Sequence, residues 1–197
     1  MTHPLHPVDL PLASQIALDL LAPHLNRAAG LSLVLGGPDR LRATAALWLD
    51  PPAGAPREPA GRVLWLVDAD GPAPIFPPSP YPLPLEGTPL AQGAVVGVVG
   101  PGPLAALRAR VRGQPASFPT VAAIERQLRD RGLAVALRWR IGGPATLWWA
   151  ALSIAAARAD RPDLADRMGI FYRRSLAPRS GAGLAEGLAL LARARSR

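Results

Sequence analysis

A glycine-rich turn after the first apolar run has the spacing of a phosphate-binding loop but lacks the charged residue that such a loop needs. In the form G-x-x-x-x-G-K-[ST], backbone N–H groups surround the phosphates and the lysine reaches the terminal ones. The corresponding run begins at Gly37 and ends at Thr44, and Arg42 and Ala43 stand where the motif has glycine and lysine. The chain contains no lysine at any position, so no other ammonium group can take this role. Gly37 and Thr44 therefore predict a vestigial nucleotide-binding turn.

Arginine supplies all 22 basic residues, and these are distributed unevenly. Residues 1–104 carry 5 Arg against 8 Asp and Glu, whereas residues 105–197 carry 17 Arg against 6, which gives net charges of −3 and +11. A basic half predicts an acidic partner such as nucleic acid, with solvated helix faces as the alternative. The candidate nucleic-acid-binding residues lie on two predicted helices and are Arg108, Arg110, Arg112, Arg173 and Arg174.

Other patterns that could carry chemistry are weaker. The run from Gly100 to Ala105 matches a dinucleotide-binding fingerprint, but two prolines within it remove amide donors. Asp68 and Asp70 could hold a metal or form a solvated end of a strand. The three histidines have no carboxylate or cysteine at ligand spacing, and the chain has no cysteine. We therefore expect no metal site, no bound cofactor and no catalytic residues.

Aromatic residues interleave with arginine near the middle of the basic half. Trp139, Trp148 and Trp149 lie close in sequence to Arg138 and Arg140. Such a pattern can stack the bases of a single strand. The alternative is core packing, because Trp148 and Trp149 belong to an otherwise apolar predicted helix.

The apolar runs predict a mainly parallel α/β sheet flanked by helices, with a helical, arginine-rich C-terminal third. Residues 1–142 form the α/β core in this prediction, and residues 143–197 form a helical part packed on the same domain. The last predicted helix, Leu184–Arg195, has an apolar stripe that could dock a protein partner. The predicted strands are Leu31–Leu35, Val63–Val67, Gly93–Val99 and Leu133–Ile141.

Targeting signals are not visible in the sequence. The N-terminal residues lack a basic segment followed by an apolar one, and no helical segment reaches the roughly 20 residues that span a bilayer. We expect a cytoplasmic protein without a membrane partner.

Two segments resemble the RecA-like branch of P-loop proteins. The run SQIALDLLAPHLNRAAGLSLVLGGPD is similar to the segment that leads a RecA helix into its P-loop strand, and GRVLWLVDADG resembles the second RecA strand. The resemblance implies a RecA-like fold with a degenerate P-loop. It also implies that Asp70 occupies the general-base position. RecA-like chains that have lost the P-loop include SulA and ImuA-like proteins of the bacterial damage response, which act by binding partners.

This resemblance leads to three functional hypotheses. The first is a non-catalytic binding protein in DNA-damage tolerance or repair, with DNA and a protein as partners. The second is a nucleotide-dependent enzyme in which Arg40 or Arg42 replaces the lysine and Asp70 acts as base. The third is a plain protein–protein interaction subunit.

Overall fold

The computed structural model describes residues 11–37, 39–49, 58–67, 88–105, 107, 120–181 and 183–194. Its helices are α1 (Pro11–Asn26), α2 (Asp39–Leu49), α3 (Val121–Asp130), α4 (Pro144–Arg158) and α5 (Pro162–Ser175). Its strands are β1 (Leu31–Gly36), β2 (Ala60–Leu66), β3 (Leu90–Pro101), β4 (Leu133–Ile141), β5 (Pro178–Ser180) and β6 (Gly187–Ala194). Within these ranges, no helix is long and apolar enough to cross a membrane.

The strands form one mixed sheet in the order β1-β2-β3-β6-β4-β5. Strands β1, β2 and β3 pair in parallel. Strand β6 is antiparallel to both of its neighbours, β3 and β4, and β5 is antiparallel to β4. The predicted α/β class is confirmed. The expectation of a mainly parallel sheet is wrong, because three of the five pairings in this sheet are antiparallel.

Strand β6 replaces the helix that was predicted at Leu184–Arg195. It lies in the interior of the sheet between β3 and β4, and residues 187–192 are all buried. A strand covered on both faces shows a continuous apolar run and no alternation. Because the run is made of leucine and alanine, which are good helix formers, the pattern resembled a helix. The hypothesis of a C-terminal docking helix is therefore wrong.

The central strands divide the core into two layers by the alternation of their side chains. On one face, Leu64 and Leu66 of β2 pack in a cluster with buried residues of α1, α2, α4 and α5. On the other face, Val63 and Trp65 pack in a cluster that includes Ile124 of α3. The sheet is thus enclosed between two helical layers, as in other α/β proteins.

The strand ends at which a ligand site is expected lie at one edge of the sheet. Strands β1 to β4 run in the same direction, because β3 and β4 are both antiparallel to β6. Their carboxyl ends therefore lie at one edge, together with the start of β6. Open α/β sheets bind ligands in the crevice outside the carboxyl ends of their strands.

Candidate functional site

The predicted vestigial nucleotide-binding residues are only partly within the described structure. Gly37 lies in the turn between β1 and α2 with φ at +74°, and Thr44 lies in α2, half-buried. Asp70 lies outside the described residues. The structure thus retains the strand, turn and helix around Gly37, and it says nothing of an acidic partner at Asp70.

The predicted nucleic-acid-binding arginines also divide into two groups. Arg108, Arg110 and Arg112 lie outside the described residues. Arg173 and Arg174 are exposed in the last turn of α5. Of the predicted nucleic-acid-binding arginines, the described structure therefore includes only Arg173 and Arg174.

The aromatic residues near the arginines have different surroundings. Trp139 packs against the core and lies 5.6 Å from the ring of His24, measured between centroids. Trp149 also packs against the core and stacks on Phe171, whereas Trp148 is 65% exposed. The core-packing alternative, which was argued for Trp148 and Trp149, is therefore confirmed for Trp149 and wrong for Trp148.

Arg138, which was considered with these aromatics, is engaged within the chain. Its Nε and one terminal nitrogen contact the two carboxylate oxygens of Glu125 at 2.7 and 3.0 Å. This two-point pair links β4 to α3 and occupies the guanidinium.

The turn after β1 is a close-fitting glycine pair. Gly36 and Gly37 have φ values of +66° and +74°, a conformation that disfavours other residues. A Cβ at Gly36 would lie 2.6 Å from the carbonyl oxygen of Leu66, and one at Gly37 would collide with the Cβ of Leu66. The turn therefore needs glycine for two reasons, its backbone conformation and its contact with the end of β2.

The turn after β3 is fastened to the start of β6. The Gly102 N–H donates to the carbonyl oxygen of Glu186 at 2.8 Å, and the Leu104 N–H donates to that of Ala185 at 2.9 Å. A Cβ at Gly102 would collide with the Ala185 carbonyl oxygen. These contacts explain Gly102 of the dinucleotide-like run, and they occupy two amides that a pyrophosphate would need.

The turn after β4 leads directly into α4. Gly142 has φ at +77°, and Gly143 precedes Pro144 at the first turn of the helix. The buried Thr146 hydroxyl accepts from the Gly143 N–H at 3.0 Å and donates to the Gly143 carbonyl oxygen. This local network fixes the end of β4 against the helix.

Glu186 is the functional candidate that the sequence reading missed. It precedes β6, is 3% exposed, and its N–H donates to the Ile141 carbonyl oxygen at 2.9 Å. A Cβ at Gly142 would lie 3.3 Å from the Glu186 Cβ. The sequence held one signal, because Glu186 is the only acidic residue after Asp166. The prediction of a helix there concealed its position at the edge of the sheet.

Among the described residues, the site is therefore an edge built from three glycine turns and one buried carboxyl group. Its backbone can approach a ligand closely, and Glu186 can supply charge or a proton acceptor. No cluster of three or more histidine, cysteine or acidic side chains suited to a metal occurs among the residues that the structure describes.

Comparisons with known proteins give a likeness of fold alone. No family model and no curated protein matches the chain. A SAM-dependent methyltransferase from Thermotoga maritima, described as a possible histamine N-methyltransferase, aligns at 10% identity over 93% of this chain and 92% of its own, with a TM-score of 0.49. A candidate sarcosine dimethylglycine methyltransferase from Galdieria sulphuraria aligns at 11% identity over 93% of this chain and 85% of its own, with a TM-score of 0.44.

These findings correct the functional reading of the sequence. The prediction of a RecA-like P-loop protein is wrong, because the two solved structures named above, which align along 93% of this chain, are described as methyltransferases. The expectations that rested on it, a non-catalytic role in DNA-damage tolerance and the absence of enzymatic activity, are corrected on the same finding. A nucleotide-dependent enzyme with an atypical P-loop is not supported either. At TM-scores of 0.49 and 0.44 the likeness itself assigns no activity to this chain.

Proposed function

We propose that the chain binds S-adenosylmethionine at the carboxyl edge of its sheet and acts as a methyltransferase. The observation that carries the proposal is the turn between β1 and α2. Two consecutive glycines with positive φ close this turn against the end of β2, directly before the first turn of a helix. Glycine turns at this place in α/β sheets allow the backbone to approach a nucleoside cofactor.

A cofactor without phosphate groups fits this edge better than a nucleotide does. The chain has no lysine to reach a terminal phosphate, and Ala43 stands at that position of the turn. The amides of Gly102 and Leu104 already donate to the carbonyl oxygens that precede β6. A pyrophosphate would therefore lack the lysine of a P-loop, and the amides of Gly102 and Leu104 would not be free to bind it.

Glu186 gives the same edge an acidic group. S-adenosylmethionine supplies, when bound, a transferable methyl group on a positively charged sulfonium. A carboxylate near that charge would stabilise it more strongly than water does, because Glu186 is buried and the local dielectric constant is low. Glu186 would also be a proton acceptor for the group that receives the methyl.

Isothermal titration of the full chain with S-adenosylmethionine tests the proposal. We expect a dissociation constant between about 1 μM and 1 mM, the usual range of KM for enzymes. S-adenosylhomocysteine should bind in the same range, and Mg-ATP should bind more weakly because it brings phosphates without a partner. Folded protein that gives no heat with either adenosyl compound at about 1 mM would contradict the proposal.

A matched pair of glycine variants locates the binding. Gly37→Ala and Gly132→Ala introduce the same side chain at φ values of +74° and +73°, but Gly132 lies before β4, at the opposite edge, with open space around it. Gly132→Ala should lose about 1 kcal/mol of stability from backbone strain, and Gly37→Ala should lose more, because its Cβ also meets the Leu66 side chain. Only Gly37→Ala should weaken binding, by roughly tenfold or more. If both variants fold and bind S-adenosylmethionine with equal affinity, the turn at Gly37 is not part of the binding site.

A further inference from the structure

Two arginine side chains stand opposite one another on the last two strands of the sheet. Arg140 of β4 and Arg179 of β5 are direct partners in the antiparallel register, so their side chains lie on the same face. The Cβ atoms of such a pair are roughly 4.5–5.5 Å apart. Like charges in this position destabilise a sheet, so a negatively charged group bound between them would stabilise the pairing.

Arg140 is half-buried, and its Nε is a buried donor that has no hydrogen-bond partner among the described residues. A buried donor costs free energy unless water or a ligand completes its hydrogen bond. Neither Arg140 nor Arg179 forms an ion pair with a described residue. By contrast, Arg138, two residues earlier on the same face of β4, already has Glu125 as its partner. The chain therefore neutralises one arginine of this face and leaves the opposed pair to another anion.

The loop before β6 leaves room for the guanidinium of Arg140. A Cβ at Gly183 would lie 2.7 Å from Nη1 of Arg140, whereas a Cβ at Gly181 would meet nothing within 4 Å. Only glycine at position 183 therefore lets the guanidinium keep its place. Because Nη1 is the far end of a flexible side chain, a larger residue there would move the guanidinium and leave the fold intact.

The arginine pair lies at the carboxyl edge of the sheet, close to the candidate site. Arg140 is the residue before the last of β4, and it pairs with Leu188 of β6. Glu186 lies two residues before Leu188, so one strand spacing and two residues separate it from Arg140, about 8 Å between Cα atoms. Helix α3 ends at Asp130, just before β4, so its N-terminus and the positive end of its dipole lie at the carboxyl edge as well.

We propose that Arg140 and Arg179 together bind an oxyanion, a carboxylate or a phosphate group, of the small molecule that accepts the methyl group. The planar guanidinium matches both groups through parallel N–H···O bonds. An oxyanion held there would leave the rest of a small acceptor within reach of Glu186. The assignment to the acceptor rests on the proposed methyltransferase function, whereas the binding of the oxyanion does not.

Nuclear magnetic resonance of arginine side chains in the ¹⁵N-labelled full chain tests the oxyanion site. Inorganic phosphate and sodium acetate are titrated separately at constant ionic strength. We expect the Nε–H resonance of Arg140, identified by its absence from Arg140→Lys, to shift and saturate with at least one of them. The anion that binds more tightly distinguishes a phosphate-bearing from a carboxylate-bearing acceptor.

Charge variants locate the oxyanion at the arginine pair. Arg179→Gln should weaken its binding by roughly tenfold or more, because one of the two guanidinium groups is lost. Arg193→Gln makes the same change at an exposed arginine near the other end of β6, at the opposite edge, and should leave the affinity unaltered. Equal affinities in these two variants would overturn the proposal.

A pair of glycine variants tests the position of the Arg140 guanidinium without removing a charge. Gly183→Ala and Gly181→Ala add the same side chain at φ values of +142° and +101°, and only the first meets Arg140. Gly183→Ala should weaken oxyanion binding by roughly threefold or more, and Gly181→Ala should not. If both variants bind the anion as the original chain does, Arg140 is not a ligand and the proposal fails.

The failure of this proposal can be distinguished from the failure of the methyltransferase proposal. An Arg140 resonance that responds to neither anion at about 50 mM would overturn the oxyanion site, whether or not S-adenosylmethionine binds. Oxyanion binding in a chain that does not bind S-adenosylmethionine would overturn only the assignment to a methyl acceptor. In the presence of saturating S-adenosylmethionine, we expect the oxyanion to bind still. Its displacement would show that the arginines hold the carboxylate of the cofactor, and would also overturn that assignment.

Discussion

The carboxyl edge of the sheet and the outer face of α5 use their residues in opposite ways. At the edge, glycines fit so closely that a Cβ at Gly102 would meet a carbonyl oxygen, and the acidic side chain of Glu186 is buried. On α5, charged and apolar side chains are both exposed, and Ile170 is an example of an apolar side chain that is about half exposed. The edge is therefore shaped by backbone, whereas the helix face is shaped by side chains. Changes that add a side chain at the edge should therefore affect folding and ligand binding together, whereas changes of the exposed side chains on α5 should leave both nearly unaltered.

The largest effect should come from the strand that supports the edge. Leu190→Ala in β6 removes a fully buried side chain and should cost about 3 kcal/mol of unfolding free energy, within the usual range of roughly 2–5. Leu184→Ala, at an exposed position before the strand, should cost less than about 0.5 kcal/mol. Urea denaturation followed by circular dichroism measures both. If the segment were a helix that buried Leu184, Leu188 and Leu191, Leu184→Ala would lose more stability than Leu190→Ala. That result would refute β6 as a central strand.

A smaller but substantial loss should follow from crowding the turn after β3. Gly102→Ala forces the new Cβ against the Ala185 carbonyl oxygen and should cost about 1–3 kcal/mol. Gly169→Ala provides the control, because it lies within α5 with nothing within 4 Å of the added Cβ. This second change should stabilise the helix by about 0.5–1 kcal/mol. If the two variants melt at the same temperature, the edge is less closely fitted than the contacts indicate.

Glu186 allows the charge of the edge to be tested apart from its packing. Glu186→Gln keeps the size of the side chain and removes its charge. We expect a change in stability below about 1 kcal/mol and an affinity for S-adenosylmethionine roughly tenfold lower, which is about 1.4 kcal/mol. Titration calorimetry and thermal melting on the same preparations provide both values. A large loss of stability with unchanged affinity would make Glu186 a structural residue only.

The smallest effect is expected on the surface, where side chains pair in solvent. The contact between Arg138 and Glu125 should have a coupling free energy of about 0.5–1 kcal/mol, because the side chain of Arg138 is 44% exposed. A double-mutant cycle with Arg138→Ala and Glu125→Ala measures it, and the value should decrease in high salt. A coupling above about 2 kcal/mol would show that this surface is more constrained than its exposure suggests.

Local patterns predicted most of the described elements correctly. Helix α3 begins after Thr120, whose hydroxyl accepts from the Ala123 N–H at 3.2 Å, and Gly132 follows it with φ at +73°. The strand predicted at Leu133–Ile141 is observed with the same bounds. These elements carry their own signals in caps, glycine stops and alternation.

The features that sequence could not supply are long-range. The insertion of β6 between β3 and β4 is a pairing between distant segments. Because residues 187–192 are all buried, the strand lacks the alternation of apolar and polar residues by which a strand is recognised in a sequence. Glu186 can be recognised as a candidate site residue only from the fold, because β6 places it beside the turns after β3 and β4. The glycine pair at Gly36 and Gly37 was visible from the start. The sequence motif led to the interpretation of this pair as a lost phosphate site. The close contact of the pair with Leu66 is visible only in the folded structure.

Hydrogen exchange of the full chain, with and without S-adenosylhomocysteine, tests the central claim most directly, because it locates the ligand. We predict slower exchange of the amides in the turn between β1 and α2, around Gly37, and in the segment that holds Glu186. The amides around Gly132, at the opposite edge of the sheet, should exchange at unchanged rates. Protection confined to α5, or no protection at a ligand concentration that saturates the calorimetric signal, would contradict a cofactor site at the carboxyl edge.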